Sequence, residues 1–157
     1  MSTRSNIRVI LKEEDRNRDM KFDPEMFKIK REWGPEQVDG KWDTVNPGGA
    51  EALIIYHHWD GYPEGVGKTL IEEYNDYDKA LNLVLGGDCS TIIDGYCPYA
   101  TRKGEDWDSI QPSAVKENHR MQEEYDYMFK DGKWFVRGDY DDDLEDWTEL
   151  EVYLNKK

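Results

Sequence analysis

Two histidines, a tryptophan, an aspartate and a tyrosine fall within residues 57–62, which read HHWDGY. Imidazole and carboxylate groups are common metal ligands, so His57, His58 and Asp60 are candidates for a metal-dependent hydrolase. Neighbouring side chains on a strand point to opposite faces, however, so His57 and His58 are not expected to converge on one ion without a distant ligand such as His119. We instead expect one histidine to be exposed and the other to make a buried hydrogen bond.

The same histidines could activate a nucleophile, either Cys89 or Ser90, with Asp60 orienting the base. Cys89 follows Asp88, whose charge raises rather than lowers the pKa of a neighbouring thiol, so nothing marks this cysteine as activated. We therefore assign no catalytic residue, and a non-enzymatic role is favoured.

Residues 65–69, GVGKT, invite comparison with the phosphate-binding loop of nucleotide-hydrolysing enzymes. The first glycine of that motif would stand at position 62, which is Tyr62, and Pro63 lacks the amide that such a loop uses to hold phosphate. We interpret these glycines as a turn and predict no cofactor. The rings before the turn could still stack a base in a small-ligand (nucleotide) binding module. The candidate ligand-binding residues are His58, Trp59, Asp60 and Tyr62.

An acidic run near the C-terminus is the second candidate site. Its acidic residues are Asp139, Asp141, Asp142, Asp143, Glu145 and Asp146. Counted from the first of them, it lacks the glycine and glutamate that a calcium loop places at its sixth and twelfth positions. A solvated loop is the first interpretation of the run, and a mimic of DNA phosphates that occupies a basic groove on a protein partner is the second, given the net charge of −14; calcium binding is the third and least favoured. The same charge argues against direct binding to nucleic acid or to an anionic membrane.

The length of 157 residues predicts a single domain, 1–157, with a loop-rich insertion at 12–49 and an acidic loop at 139–146. Only 37% of the residues are hydrophobic but 13% are aromatic, so large rings are expected to build a modest core. Cys89 and Cys97 match no common zinc spacing, and no signal peptide or long apolar run is evident. We expect reduced cysteines and a cytoplasmic protein; the sequence does not indicate its oligomeric state.

Strands are predicted where β-branched and aromatic residues cluster or alternate. These segments are 6–11, 26–33, 52–58 and 147–154. Two further strands, 125–129 and 134–136, flank Asp131-Gly132, the favoured pair for a type I′ hairpin turn.

Helices are predicted where apolar residues recur at helical spacing. They cover 66–74, 77–85 and 113–123. Asp76 is predicted to cap the second of these helices, and Gly86-Gly87 to end it. The segment 88–112 is interpreted as a loop with marginal short structure. Together the elements predict an α+β fold: a mostly antiparallel sheet with two or three helices on one face.

Three pieces of the sequence are similar to a family of small, functionally uncharacterised proteins of tailed phages and prophages. They are a Thr3-Arg4-Ser5 opening before the first strand, a His58-Trp59-Asp60-Gly61-Tyr62-Pro63 corner, and a tyrosine-rich hairpin ending in Gly132-Lys133-Trp134. Leu85-Gly86-Gly87-Asp88-Cys89-Ser90 resembles a further segment that follows the helices in that family. The stretches 12–49 and beyond Gly138 depart from the pattern. The resemblance implies a phage or prophage origin and the host cytoplasm, and it carries no established activity.

Charge and resemblance together favour an acidic phage accessory protein that binds and inhibits a basic host or defence protein, as a possible DNA mimic. The small-ligand module at the corner and the metal-dependent hydrolase remain the alternatives.

Overall fold

A computed structural model describes residues 3–27, 42–98, 107–120, 123–138 and 144–156. Within these ranges eight strands form one sheet, in the spatial order β4-β3-β2-β1-β6-β7-β8, with β5 beside β2. The strands are β1 (Ser5–Ile10), β2 (Ala52–His57), β3 (Cys89–Thr91), β4 (Cys97–Pro98), β5 (Ser113–Val115), β6 (Tyr125–Lys130), β7 (Lys133–Gly138) and β8 (Thr148–Glu149). The helices in these ranges are α1 (Lys68–Glu73), α2 (Tyr77–Leu85), α3 (Trp107–Ile110) and α4 (Leu150–Asn155).

The sheet is mixed but mostly antiparallel. Only β1–β6 and β2–β3 pair in parallel, whereas β1–β2, β2–β5, β3–β4, β6–β7 and β7–β8 are antiparallel. The predicted α+β class is therefore confirmed, with four described helices where two or three were expected.

One face of the sheet carries the hydrophobic core. Alternate residues of β1 and β2, such as Ile7, Val9 and Ile55, are buried together with Phe129 and Trp134 from the hairpin. Buried side chains from all four described helices join the same cluster. The opposite face of β1, β6 and β7 instead carries buried polar residues: Asn6, Arg8, Asp126 and Arg137.

Local sequence signals account for α2 and for the hairpin. The Asp76 carboxylate accepts a hydrogen bond from the Lys79 amide at 2.8 Å, so it caps α2 as predicted. Asp131 and Gly132 both have positive φ angles, of 51° and 82°, as a type I′ turn requires. The hairpin prediction is confirmed.

The predicted helix over 113–123 is wrong within its described part. Residues Ser113–Val115 form β5, which pairs with the first half of β2, and residues 116–120 continue without helix. The Arg8 guanidinium takes the carbonyls of Glu117 and His119 as acceptors. These carbonyl groups accept from Arg8, so they do not need the amide partners that a helix would supply. The preceding residues 113–115 pair instead with an edge of β2.

The predicted final strand over 147–154 is also wrong beyond Glu149, where α4 begins. Leu150 and Tyr153, three residues apart, are buried, whereas Val152 is 44% exposed. The buried residues are thus spaced as in a helix, although apolar and polar residues also alternate in this segment as they would in a strand.

Three other predicted segments differ in part. Of the strand predicted over 26–33, Met26 and Phe27 lie in a bend and the rest falls outside the described residues. The segment predicted as a loop over 88–112 contains β3, β4 and α3. The helix predicted over 66–74 is preceded by a π-helical turn, Pro63–Gly67, and α1 proper starts at Lys68.

Candidate functional site

The corner, extended from here on to residues 58–67, connects β2 to α1 and is fixed to the segment just before β1 and to β6. The Gly61 amide donates to the Thr3 carbonyl at 2.8 Å, and the Tyr127 hydroxyl donates to the Gly61 carbonyl at 2.7 Å. A Cβ at Gly61 would lie 2.7 Å from both the Thr3 carbonyl oxygen and the Ser5 Oγ, so only glycine fits this approach. The corner is therefore held against the start of β1 and against β6.

Asp60 shapes the turn through its backbone. Its φ angle is 55°, a left-handed conformation that aspartate tolerates, and its carbonyl accepts from the Val66 amide at 2.9 Å. The backbone carbonyl, and not the carboxylate, makes the hydrogen bond that closes this turn among the described residues. Asp60 is exposed, so its charge is presented to solvent.

The corner presents two aromatic rings and two acids on its outside. Trp59 and Tyr62 are each 39% exposed, and Asp60 and Glu64 are exposed as well. Single exposed apolar side chains are ordinary, but two large rings within four residues on a fixed turn form an unusual surface. Three cavities of about 380, 400 and 420 Å³ lined by described residues contain neither ring. The two rings therefore do not form part of the wall of those three cavities.

His58 supports the exposed tryptophan. The Tyr56 hydroxyl lies 2.7 Å from His58 Nδ1, and the His58 and Trp59 rings meet edge to face with centroids 4.6 Å apart. Burial, and then the positive charge of Arg4, lower the pKa of His58. The His58 ring is thus an aromatic neighbour for Trp59 that also contacts Tyr56, a residue that sequence reasoning did not single out.

His57 points the other way, into the core. It is fully buried, and neither ring nitrogen has a hydrogen-bond partner among the described residues. Burial lowers its pKa to about 3, with His58 adding a smaller effect. The expectation that the inward histidine makes a buried hydrogen bond is therefore wrong, and the hydrogen-bonded histidine is the outer one.

The nucleophile hypothesis finds no support in the geometry. His57 and Cys89 are register partners on β2 and β3, but both are fully buried, and burial raises the pKa of the Cys89 thiol. Ser90 is buried as well and its hydroxyl faces the Pro98 carbonyl at 3.5 Å. In the described ranges no group of three or more His, Cys, Asp or Glu side chains is placed to hold a metal ion.

The acidic run is described only in part. Asp139, Asp141, Asp142 and Asp143 lie outside the described residues, whereas Glu145 and Asp146 are exposed. The corner and the visible end of this run are thus the two places where the predicted site residues face solvent.

Sequence reasoning missed a charged cluster on the polar face of the sheet. Arg8 and Arg137 both bond Asp126, and both lie against the Trp147 ring. The one available signal was the alternation of Asn6 and Arg8 in β1, continued by Arg4 just before the strand, which places polar groups on a single face.

Comparisons with protein-family models, with curated proteins and with solved structures each find no match to this chain. Among the described helices, the longest of which is the nine-residue α2, there is none with the length and apolarity to cross a membrane.

Proposed function

We propose that this protein is a non-enzymatic acidic binding protein that engages a basic protein partner, with the corner as its anchor. The observation that carries the proposal is the joint exposure of Trp59 and Tyr62 beside the exposed acids Asp60 and Glu64. Tryptophan and tyrosine dominate the energetic centres of protein interfaces because they bury large area with little loss of conformational entropy.

Charge supplies the second part of the proposal. The chain carries a net charge of −14, and residues 59–64 contain two acids and no base. Such a field accelerates encounter with a positively charged partner and disfavours a negatively charged one. The acidic run adds to the negative charge of the chain, and its described residues Glu145 and Asp146 are exposed, so the proposed partner surface is a basic groove of the kind that binds DNA, with this protein as a DNA mimic.

The nature of the partner rests on the sequence resemblance. The similarity of the corner and of the hairpin to phage and prophage proteins is why we propose a host or defence protein as the partner, encountered in the host cytoplasm. Inhibition would follow if the acidic surface occupies a groove that the partner uses for nucleic acid.

The proposal is tested by capture from bacterial host lysate at low salt, followed by a high-salt wash and mass spectrometry of the eluate. The wild type should retain a basic protein that salt and duplex DNA both release. The variant Trp59→Ala/Tyr62→Ala should lose it, while Val152→Ala, which removes an equally exposed apolar side chain on α4, should keep it. Equal capture by all three proteins would reject the corner as the anchor.

A small-ligand role at the same corner is the second candidate, because the exposed Trp59 ring, supported edge-on by His58, could stack a base. Nucleotides should then raise the melting temperature of the wild type and not that of Trp59→Ala. A shift that survives Trp59→Ala would place the nucleotide elsewhere. The metal-dependent hydrolase has no observation in its favour within the described residues.

A further inference from the structure

The polar face of the sheet contains a buried, positively charged cluster. Asn6 on β1, Asp126 on β6 and Arg137 on β7 are register neighbours, so their side chains share one face. Arg8, two residues along β1 from Asn6, projects from the same face. Among the described residues of this face, two guanidinium groups and one carboxylate give the cluster a formal charge of +1 in a chain of −14.

The one carboxylate is shared between both arginines. Arg8 Nη2 lies 3.4 Å from Asp126 Oδ1, and Arg137 Nη2 lies 3.2 Å from Oδ2 of the same carboxylate. The Arg8 side chain is fully buried and that of Arg137 is 10% exposed. Burial lowers the pKa of Arg8 and raises that of Asp126, so the loss of water outweighs the mutual attraction of these charges.

Three N–H donors in this cluster remain unsatisfied. Asn6 Nδ2, Arg8 Nε and Arg137 Nε are buried and have no hydrogen-bond partner among the described residues. A buried donor without an acceptor destabilises the folded state, and more so when it carries charge. The unsatisfied atoms among the described residues of this face are all donors, so a ligand that pairs with them must supply hydrogen-bond acceptors. The excess positive charge favours an acceptor that is an anion.

Trp147 gives such a group a route to the cluster. The Trp147 ring lies 4.3 Å from the Arg137 guanidinium carbon and 5.4 Å from that of Arg8, measured to the ring centroid. Trp147 is more exposed than either arginine and stands outside the regular strands, just before β8. A movement of Trp147 would therefore leave the strand pairing of the described sheet intact.

We propose that the face bounded by Asn6, Arg8, Arg137 and Trp147 binds the oxyanion of a small ligand, a phosphate or a carboxylate group. Arginine is suited to both because its planar array of donors matches either oxyanion. The site lies on the sheet and not on the corner, so it is independent of the protein partner proposed above.

Inorganic phosphate and acetate, added separately at constant ionic strength, are the probes. We expect at least one of them to raise the melting temperature along a saturable curve, and calorimetry of the wild type to give the same dissociation constant. Arg137→Gln should weaken that binding by about tenfold or more, the effect of removing a charged hydrogen-bond donor. Arg4→Gln removes the same charge from an arginine whose side chain is 55% exposed, and it should bind as the wild type does.

Which probe saturates identifies the ligand class, phosphate or carboxylate. If Arg137→Gln does not fold, Asn6→Leu keeps both arginines and should weaken the same binding. A response that rises linearly without saturation, no saturable heat with either probe, or equal binding by Arg137→Gln and Arg4→Gln would overturn the proposal and leave the cluster as a structural network.

Discussion

The buried His57 makes the stability of this protein sensitive to mild acid. Because burial lowers the pKa of His57 from 6.5 to about 3, the unfolded chain binds a proton more tightly than the folded one does. The stability that the neutral imidazole contributes is complete above pH 6.5 and is lost progressively as the pH falls from 6.5 toward 3. Each unit in this window removes about 1.4 kcal/mol, so ~2 kcal/mol is lost by pH 5.

The substitution His57→Leu isolates this contribution. Leucine cannot titrate, has similar volume, and removes two ring nitrogens that have no partner among the described residues. At pH 7 we therefore expect the free energy of unfolding to be unchanged or higher. Between pH 7.5 and pH 5 the variant should lose about 2 kcal/mol less than the wild type does.

Urea denaturation followed by tryptophan fluorescence at several pH values measures the difference directly. His119→Leu, at an exposed histidine, is the matched control for loss of an imidazole and should follow the wild-type curve. If the wild type and His57→Leu lose equal stability down to pH 5, His57 is not held neutral in the core and the reasoning is refuted.

Three substitutions test how the elements are held. Gly61→Ala should lower the free energy of unfolding by about 1–3 kcal/mol, because its Cβ would meet the Thr3 carbonyl and Ser5 Oγ at 2.7 Å; unchanged urea denaturation would contradict this contact. Tyr127→Phe should cost about 1–3 kcal/mol in the same assay, since it leaves the Gly61 carbonyl without its donor. Asp76→Ala should cost about 1 kcal/mol by removing the cap of α2, and more than Asp78→Ala in the same turn; equal losses would argue against the cap.

The parts of the fold that were predictable are those encoded by local patterns. The hairpin depends on Asp131-Gly132, and α2 depends on Asp76 and on apolar residues at helical spacing, so neighbours in the sequence suffice. The parts that were missed depend on distant partners. Within residues 113–120, β2 holds the strand and Arg8 holds the loop that follows it. Arg8 lies more than one hundred positions away from that loop in the sequence.

The site was predictable to a similar extent. The corner residues His58, Trp59, Asp60 and Tyr62 were recognisable by type, and exposure of the two rings gives them a common surface. Which histidine faces inward depends on the phase of β2 relative to the core, and that phase is set by pairing with β1. The cluster of Arg8, Asp126 and Arg137 joins three strands, so the polar alternation in β1 could mark a polar face but could not reveal the partners on β6 and β7.

The most direct test of the central claim is side-by-side capture from host lysate by the wild type, by Trp59→Ala/Tyr62→Ala and by Val152→Ala at low salt. Our account predicts that the wild type and Val152→Ala retain the same basic protein, that salt releases it, and that the double variant does not retain it. Far-ultraviolet circular dichroism should confirm that all three proteins are folded. Retention of that protein by the double variant, or an empty eluate from the wild type, would contradict the account.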